Sequence, residues 1–335
     1  MRNEVIKQIL LAGFILLLVF IIGSQLYVFF PGMLGAVTLY IILRQYYFKL
    51  TVIRKWNKTG TALLFVFGTM ILVALPIAGL IQVLLPKLTT VLDNQKDLVA
   101  TLNSLTLKLQ NISPHFQINE QQIAGAIQKL TGMLPGLLNA TANMLTNMVL
   151  AFFILYFMLV DGRKMEQVIQ RYMPLQDANI DSVWLATRTM VISNAIGIPI
   201  VAASQGLAAM LGYYIFGISD YLLWGVLTGI VSVVPLIGCM IIWGPLCIYL
   251  YATGHSGAAL GLALYSFIVT GSIDNVLRFT ILKRVGDVHP IITALGIIVG
   301  IPLFGFMGFI FGPLLISYLL LMISIYRTEF SGNNT

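Results

Sequence analysis

The chain has 335 residues, of which 59% are hydrophobic and only 9% charged, with a formal net charge of +7. Soluble domains carry about 25% charged residues, so this composition excludes a particle coated by water on all sides. The excess of Lys and Arg does not describe a nucleic-acid surface either. Arg44, Lys49, Arg54, Lys55 and Lys58 fall between two apolar runs with no acidic residue among them, as in a loop held on the cytoplasmic side of a membrane.

In chain order, Ile9–Phe30 predicts a first span. Arg2 and Lys7 give the N-terminus the outline of a signal peptide, but the apolar stretch is too long and has no small-residue cleavage site. Pro31-Gly32 predicts a break and turn. Met33–Leu50 then returns as span two, with Arg44 and Lys49 snorkelling and Tyr46, Tyr47 and Phe48 forming an aromatic belt. Thr61–Leu85 is span three.

Residues 86–140 are polar enough to leave the membrane. Leu88, Val91, Leu92, Leu98, Val99, Leu102, Leu105, Leu109 and Ile112 recur at three- and four-residue steps, the pattern of an amphipathic helix that Ser113-Pro114 ends. Asn119 with Gln122 makes a capping-box pattern and Ile118 with Ile123 a hydrophobic staple, opening a second helix from Glu120. This external arm is either a solvated hairpin on the bilayer or a contact between subunits.

Thr141–Val160 is span four, and 161–188, with Arg163, Lys164, Arg171 and Arg188, is a cytoplasmic connector. Thr189–Ser219 is span five, and Ser256–Ile273 a later full span. With both termini inside, the basic clusters at 44–58, 161–188 and 278–284 all fall inside and the arm outside. The chain thus divides into a scaffold half, 1–188, and a transport half, 189–335.

Two stretches resist being simple spans. Gly229-Ile230, Pro235-Leu236-Ile237-Gly238 and Gly244-Pro245-Leu246 recur as Gly296-Ile297, Pro302-Leu303-Phe304-Gly305 and Gly312-Pro313-Leu314, with one inserted residue. An internal repeat is read before other signals. Leu222–Val234 and Ile291–Ile301 are shorter than the ~20 residues of a spanning helix. Apolar segments broken by Gly and Pro at matching places in two halves point to a transporter site, because exposed backbone is tolerated at membrane depth only where it is buried or lines an aqueous cavity. The expected fold is an all-α integral membrane protein of eight segments. It is a polytopic bundle with two broken, re-entrant hairpins (221–251 and 290–326) in an inverted repeat, plus the extramembrane arm. Two kinked ordinary helices are the alternative, with Gly and Pro serving close packing.

Candidate path residues are few. Asp274, with Asn275 beside it and Arg278 one turn away, is the carboxylate most closely flanked by membrane sequence. It either forms a structural pair with the Arg or serves gating or coupling. Asn194, Gln205 and Ser232 either bond between helices or line a path. His289-Pro290 opens the second hairpin as an interfacial group or a proton relay. The hairpin breaks are Pro235, Gly238, Pro302 and Gly305.

His115, His255 and His289 are far apart, without acidic or Cys neighbours at ligand spacing, so no metal site is visible and no cofactor is implied. No Walker A sequence is present. Cys239 and Cys247 lie in apolar sequence, which argues against a disulfide framework. Gly254-His255-Ser256-Gly257 resembles the G-x-S-G of rhomboid intramembrane proteases, and a turn is the other reading.

The segment from Gly225 to Gly238, Asp274-Asn275-x-x-Arg278, His289-Pro290 and the closing Pro302…Gly312-Pro313-Leu314 together resemble the AI-2E family of bacterial permeases. The chain departs from the pattern in carrying Phe279-Thr280 where a Pro usually follows the Arg. The resemblance covers essentially the whole chain. It implies a multi-pass protein of the bacterial cytoplasmic membrane that is not an enzyme and that forms homo-oligomers, with the 86–140 arm a candidate contact. The implied activity is export of a small polar solute such as the quorum-sensing signal autoinducer-2, with sodium/proton exchange through Asp274 as the alternative. An intramembrane protease using Ser256 is a rival of another class. Partners are then the solute and the lipid bilayer, with no nucleic acid.

Overall fold

The computed structural model describes residues 2–93, 125, 134–173, 177–232, 238–273, 276–277 and 290–330. Among them every regular element is helical. Six helices are long and apolar enough to cross a membrane, confirming an all-α polytopic membrane protein.

The first of these runs corrects an expectation. Helix α1 (Arg2–Leu26) passes through a 3₁₀ turn at Tyr27–Phe29 into α2 (Phe30–Phe48), and the backbone at Leu26, Phe29 and Phe30 stays right-handed helical. Pro31-Gly32 therefore does not break the chain. Proline is tolerated in the first turn of a helix, where its missing N–H has no partner to lose. Gly32 is needed for a close approach: its N–H donates to Asn147 Oδ1 at 2.8 Å, and a Cβ there would stand 2.6 Å from the Asn147 carbonyl oxygen. Every described side chain of α1 is exposed, and a helix apolar all round suits lipid on all sides.

Helix α3 (Lys58–Asp93) runs past the expected end of span three, with Pro76 and Pro86 inside it. Helices α4 (Leu134–Tyr172) and α5 (Asp177–Ile215) likewise extend well into the expected connector, which is mostly helix. Apolar runs mark the membrane-embedded part of a helix, whereas the backbone ladder continues beyond it into polar sequence. Most of the arm, including the capping box and the first amphipathic helix beyond Asp93, lies outside the described residues, whereas Leu88, Val91 and Leu92 fall within α3.

One core joins α2, α3 and α4 through Ala36, Tyr40, Tyr47, Ala62, Ala151, Phe152, Leu155 and Leu159. At its polar end Arg44 Nη2 donates to Glu166 Oε2 at 2.7 Å, Arg44 Nε donates to Oε1, and the Tyr40 hydroxyl donates to Oε1 at 2.7 Å. The Arg44 guanidinium also lies over Phe48 and Trp184, at 5.3 and 5.4 Å. Arg44 is thus engaged inside the bundle rather than snorkelling, because a carboxylate on α4 reaches it, while Lys49 is exposed as expected. These contacts bring the 44–58 and 161–188 basic clusters to one end of the bundle.

The broken segments follow. Helix α6 (Tyr221–Val231) and α7 (Gly238–Ala252) form the first pair, and α8 (Ser256–Tyr265) continues through a π-helical turn, Ser266–Thr270. Helix α9 (Pro290–Phe304), a 3₁₀ turn at Gly305–Met307 and α10 (Gly308–Phe330) form the second. Gly305 has φ +57, a left-handed turn conformation that glycine adopts without a Cβ penalty. A second core unites α5, α7 and α8 through Ala209, Tyr213, Leu246, Leu250 and Leu262, with Trp224 of α6 against it. A third places Ile41 of α2 and Val191 of α5 against Ile310, Phe311 and Leu314 of α10.

Both breaks are fold-backs rather than kinks. In the second, Gly296 meets Gly312 and Pro313 while Gly300 meets Gly308 and Gly312, an antiparallel register of small residues in backbone contact. In the first, a Cβ on Gly238 would stand 3.0 Å from Ser232 Cα, although a continuing helix would separate these residues by about 9 Å. The two repeat copies nevertheless pack differently. Gly229 presses on α5, where a Cβ would stand 2.8 Å from the Ala202 carbonyl oxygen, whereas its counterpart Gly296 presses on its own hairpin partner.

Candidate functional site

Helix α5 organises the polar interior. Val191, Asn194, Val201, Gln205, Ala209 and Tyr213 are all buried, at the three- and four-residue steps of one helix face. Asn194 and Gln205 lie three turns apart on this face, about 16 Å along the axis. Each amide serves a different hairpin. Asn194 Nδ2 donates to the Ile310 carbonyl of α10 at 3.3 Å. Gln205, with no exposed surface, donates from Nε2 to the Thr270 carbonyl at 3.5 Å and accepts at Oε1 from Cys239 Sγ at 3.3 Å. The expected path residues therefore separate: Gln205 and Ser232 belong to the first hairpin, Asn194 to the second.

Around Gln205 the polar groups are buried and uncharged. Ser232 closes α6 and its hydroxyl donates to the Gly229 carbonyl at 2.6 Å. Thr228 and Tyr213 share a hydrogen bond at 2.8 Å, and Thr228 also donates to the Trp224 carbonyl at 2.8 Å. Thr270 is 1% exposed, and its hydroxyl has no hydrogen-bond partner among the described residues. It ends the π-helical turn, and such turns recur at functional sites because the wider ring disturbs the regular ladder. Four elements thus meet at the first break: the middle of α5, the end of α6, the start of α7 and the π turn after α8.

Sequence reasoning missed Thr270, Cys239 and the Thr228–Tyr213 pair. Thr270 had a signal, a hydroxyl in an apolar run four residues before Asp274; Cys239 had none beyond its place next to Gly238. Asp274, Asn275, Arg278, His289 and Pro235 lie outside the described residues. Pro302 stands inside the last turn of α9, where the Tyr27 hydroxyl donates to its carbonyl at 3.3 Å or to that of Leu303 at 3.1 Å. That hydroxyl serves carbonyls at a helix end that have no partner within the helix, and so ties the α1–α2 joint to the tip of the second hairpin. Ser256 opens α8 in an exposed turn built on Gly254 at φ +90, and the adjacent His255 pairs through Nδ1 with Thr253 Oγ1 at 3.3 Å.

Membrane-length helices, two fold-back helix pairs and buried amides facing each pair define a polytopic α-helical protein of the membrane-transporter class. The chain belongs to the AI-2E transporter family: the sequence model described as "AI-2E family transporter" matches residues 9–328. Relatives bearing the name "Putative transport protein" include one from Aquifex aeolicus, 27% identical over 52% of this chain and 49% of its own length. One from Methanothermobacter thermautotrophicus is 24% identical over 78% of this chain and 79% of the relative, and one from Methanocaldococcus jannaschii 23% identical over 79% and 81%. The match thus spans about half the length of the Aquifex relative and about four-fifths of the two archaeal ones.

Proposed function

We propose that this membrane transporter moves a small, neutral, polar solute by alternating access, with the seam around Gln205 and Thr270 as its binding site. The observation that carries this reading is the buried Thr270 hydroxyl, which has no partner among the described residues, beside a fully buried amide at a broken helix. A buried hydroxyl without a partner costs about 1–3 kcal/mol, and a solute's hydrogen bonds would offset that cost. The described lining of the seam has donors and acceptors but no formal charge, which suits a hydroxylated solute such as autoinducer-2 better than a bare ion.

The orientation supported by the basic clusters puts the 44–58 turn, the 161–188 connector and the end of α10 in the cytoplasm of a bacterial cell, with the 86–140 arm outside and serving homo-oligomer contact. Export is the direction this reading assigns. The test uses everted vesicles, autoinducer-2 as the probe solute, and a pH-sensitive dye in parallel. Gln205→Leu should abolish solute accumulation at wild-type abundance. Unchanged accumulation in that variant sinks the Gln205 site, and a wild-type response only in the dye sinks the solute reading in favour of proton-coupled exchange through Asp274.

A further inference from the structure

We propose that the turn joining α2 to α3 is a binding site for the headgroups of acidic phospholipids. Lys49, Arg54, Lys55 and Lys58 are all exposed there, and Arg163 of α4 joins them with its guanidinium over Phe48 at 5.2 Å. The neighbouring carboxylates are already engaged, Asp161 with Lys164 at 3.6 Å and Glu166 with Arg44 at 2.7 Å. Among the described residues no carboxylate stands within ion-pairing distance of the five cations.

The turn is built rather than loose. The Tyr47 hydroxyl, on a side chain 1% exposed, donates to the Lys58 carbonyl at 3.2 Å. Asn57 Oδ1 caps α3 by accepting from the N–H groups of Thr59 and Gly60 at 3.0 and 3.4 Å. The Trp56 N–H donates back to the Leu50 carbonyl at 3.1 Å. Lys55 is held at φ +55, a conformation that disfavours side chains with a Cβ, and the flanking bonds keep it there. The cations are therefore presented from a fixed frame.

Placement and composition select the occupant. The turn joins two helices of membrane length, which sets it at headgroup depth, where Lys and Arg gain about 1 kcal/mol each from an anionic surface. Ile53, Tyr46 and Trp56 are 73%, 63% and 47% exposed beside the cations. An acidic protein or a nucleic acid would leave this apolar surface in water. A phospholipid offers phosphate to the cations and glycerol and acyl carbons to the aromatic and aliphatic side chains. The inference rests on the membrane placement of these helices and not on the transported solute.

Native mass spectrometry of the full chain in detergent tests it, with phosphatidylglycerol or phosphatidylcholine added. Wild-type protein should retain phosphatidylglycerol over phosphatidylcholine, and the K49Q/R54Q/K55Q/K58Q variant should bind phosphatidylglycerol at least about tenfold more weakly. Should that variant fail to elute as folded protein, the exposed pair R54Q/K55Q takes its place, with a smaller loss expected. Equal phosphatidylglycerol retention by a folded variant, or equal retention of the two lipids by wild type, overturns the proposal. So does equally strong binding of glycerol 3-phosphate, which would make this a soluble-anion site, or preferential binding of polyglutamate, which would indicate an acidic protein partner.

Discussion

Gly300 and Gly308 face each other across the second hairpin so closely that a Cβ on Gly300 would stand 2.5 Å from the Gly308 carbonyl oxygen. Neither helix backbone can retreat without opening the hairpin, since Gly296 and Gly312 are in the same contact. Gly300→Ala should therefore lower stability by about 1–3 kcal/mol through overpacking. Gly244→Ala is the control: it is the repeat counterpart of Gly312, yet a Cβ there meets nothing within 4 Å. Thermal unfolding of the detergent-solubilised proteins should show a clear drop for Gly300→Ala and none for Gly244→Ala.

Arg44 and Glu166 hold α2 to α4 through two hydrogen bonds, with side chains 30% and 17% exposed. Removing either partner leaves a half-buried group unpaired, at a cost of about 1.5–3 kcal/mol. Arg44→Gln and Glu166→Gln should each destabilise, and the double variant should lose less than the two losses added. Arg44→Lys should not restore stability, because an ammonium cannot reproduce the two-pronged contact. Strict additivity in a double-mutant cycle would show that the pair contributes nothing.

Cys239 donates to Gln205 at the candidate site, whereas Cys247 packs against the α5–α7–α8 core. Alkylation with N-ethylmaleimide should therefore block solute flux in wild type and in Cys247→Ser, and leave Cys239→Ser active. Loss of sensitivity in Cys247→Ser instead would move the site away from the first break.

Ser256 lies in an exposed turn, so Ser256→Ala should leave flux unchanged. A loss of activity together with an altered cleavage pattern of membrane substrates would revive the protease reading.

Orientation is checked by labelling intact cells with an impermeant thiol reagent after placing single cysteines at Asn119 and Lys55. Only position 119 should react; labelling at 55 would invert the topology.

Much of this architecture could be read along the chain. The Gly/Pro repeat located both fold-backs to within a few residues, because an apolar segment too short to span must redirect its backbone where proline removes a ladder hydrogen bond and a nearby glycine can turn. Gln205 and Ser232 were legible as polar groups in apolar runs, since a buried polar group needs a partner wherever it lies. Which partner it finds was not legible. The Pro31-Gly32 pair shows the limit of local signals: a dipeptide that reads as a turn instead stands in the first turn of α2, where the glycine is used for contact with Asn147.

The sequence by itself determined the solvent of this protein, its membrane-length helices and its internal repeat. Those follow from composition and apolar run length, which act residue by residue. Only the tertiary structure decided that Arg44 is satisfied by Glu166, 122 residues away, that Asn194 and Gln205 serve opposite hairpins, and that Gly229 and Gly296 press on different partners. Identical local sequence leaves the choice of neighbour open, because packing energy depends on the shape and hydrogen-bonding groups of the helix that arrives from elsewhere in the chain.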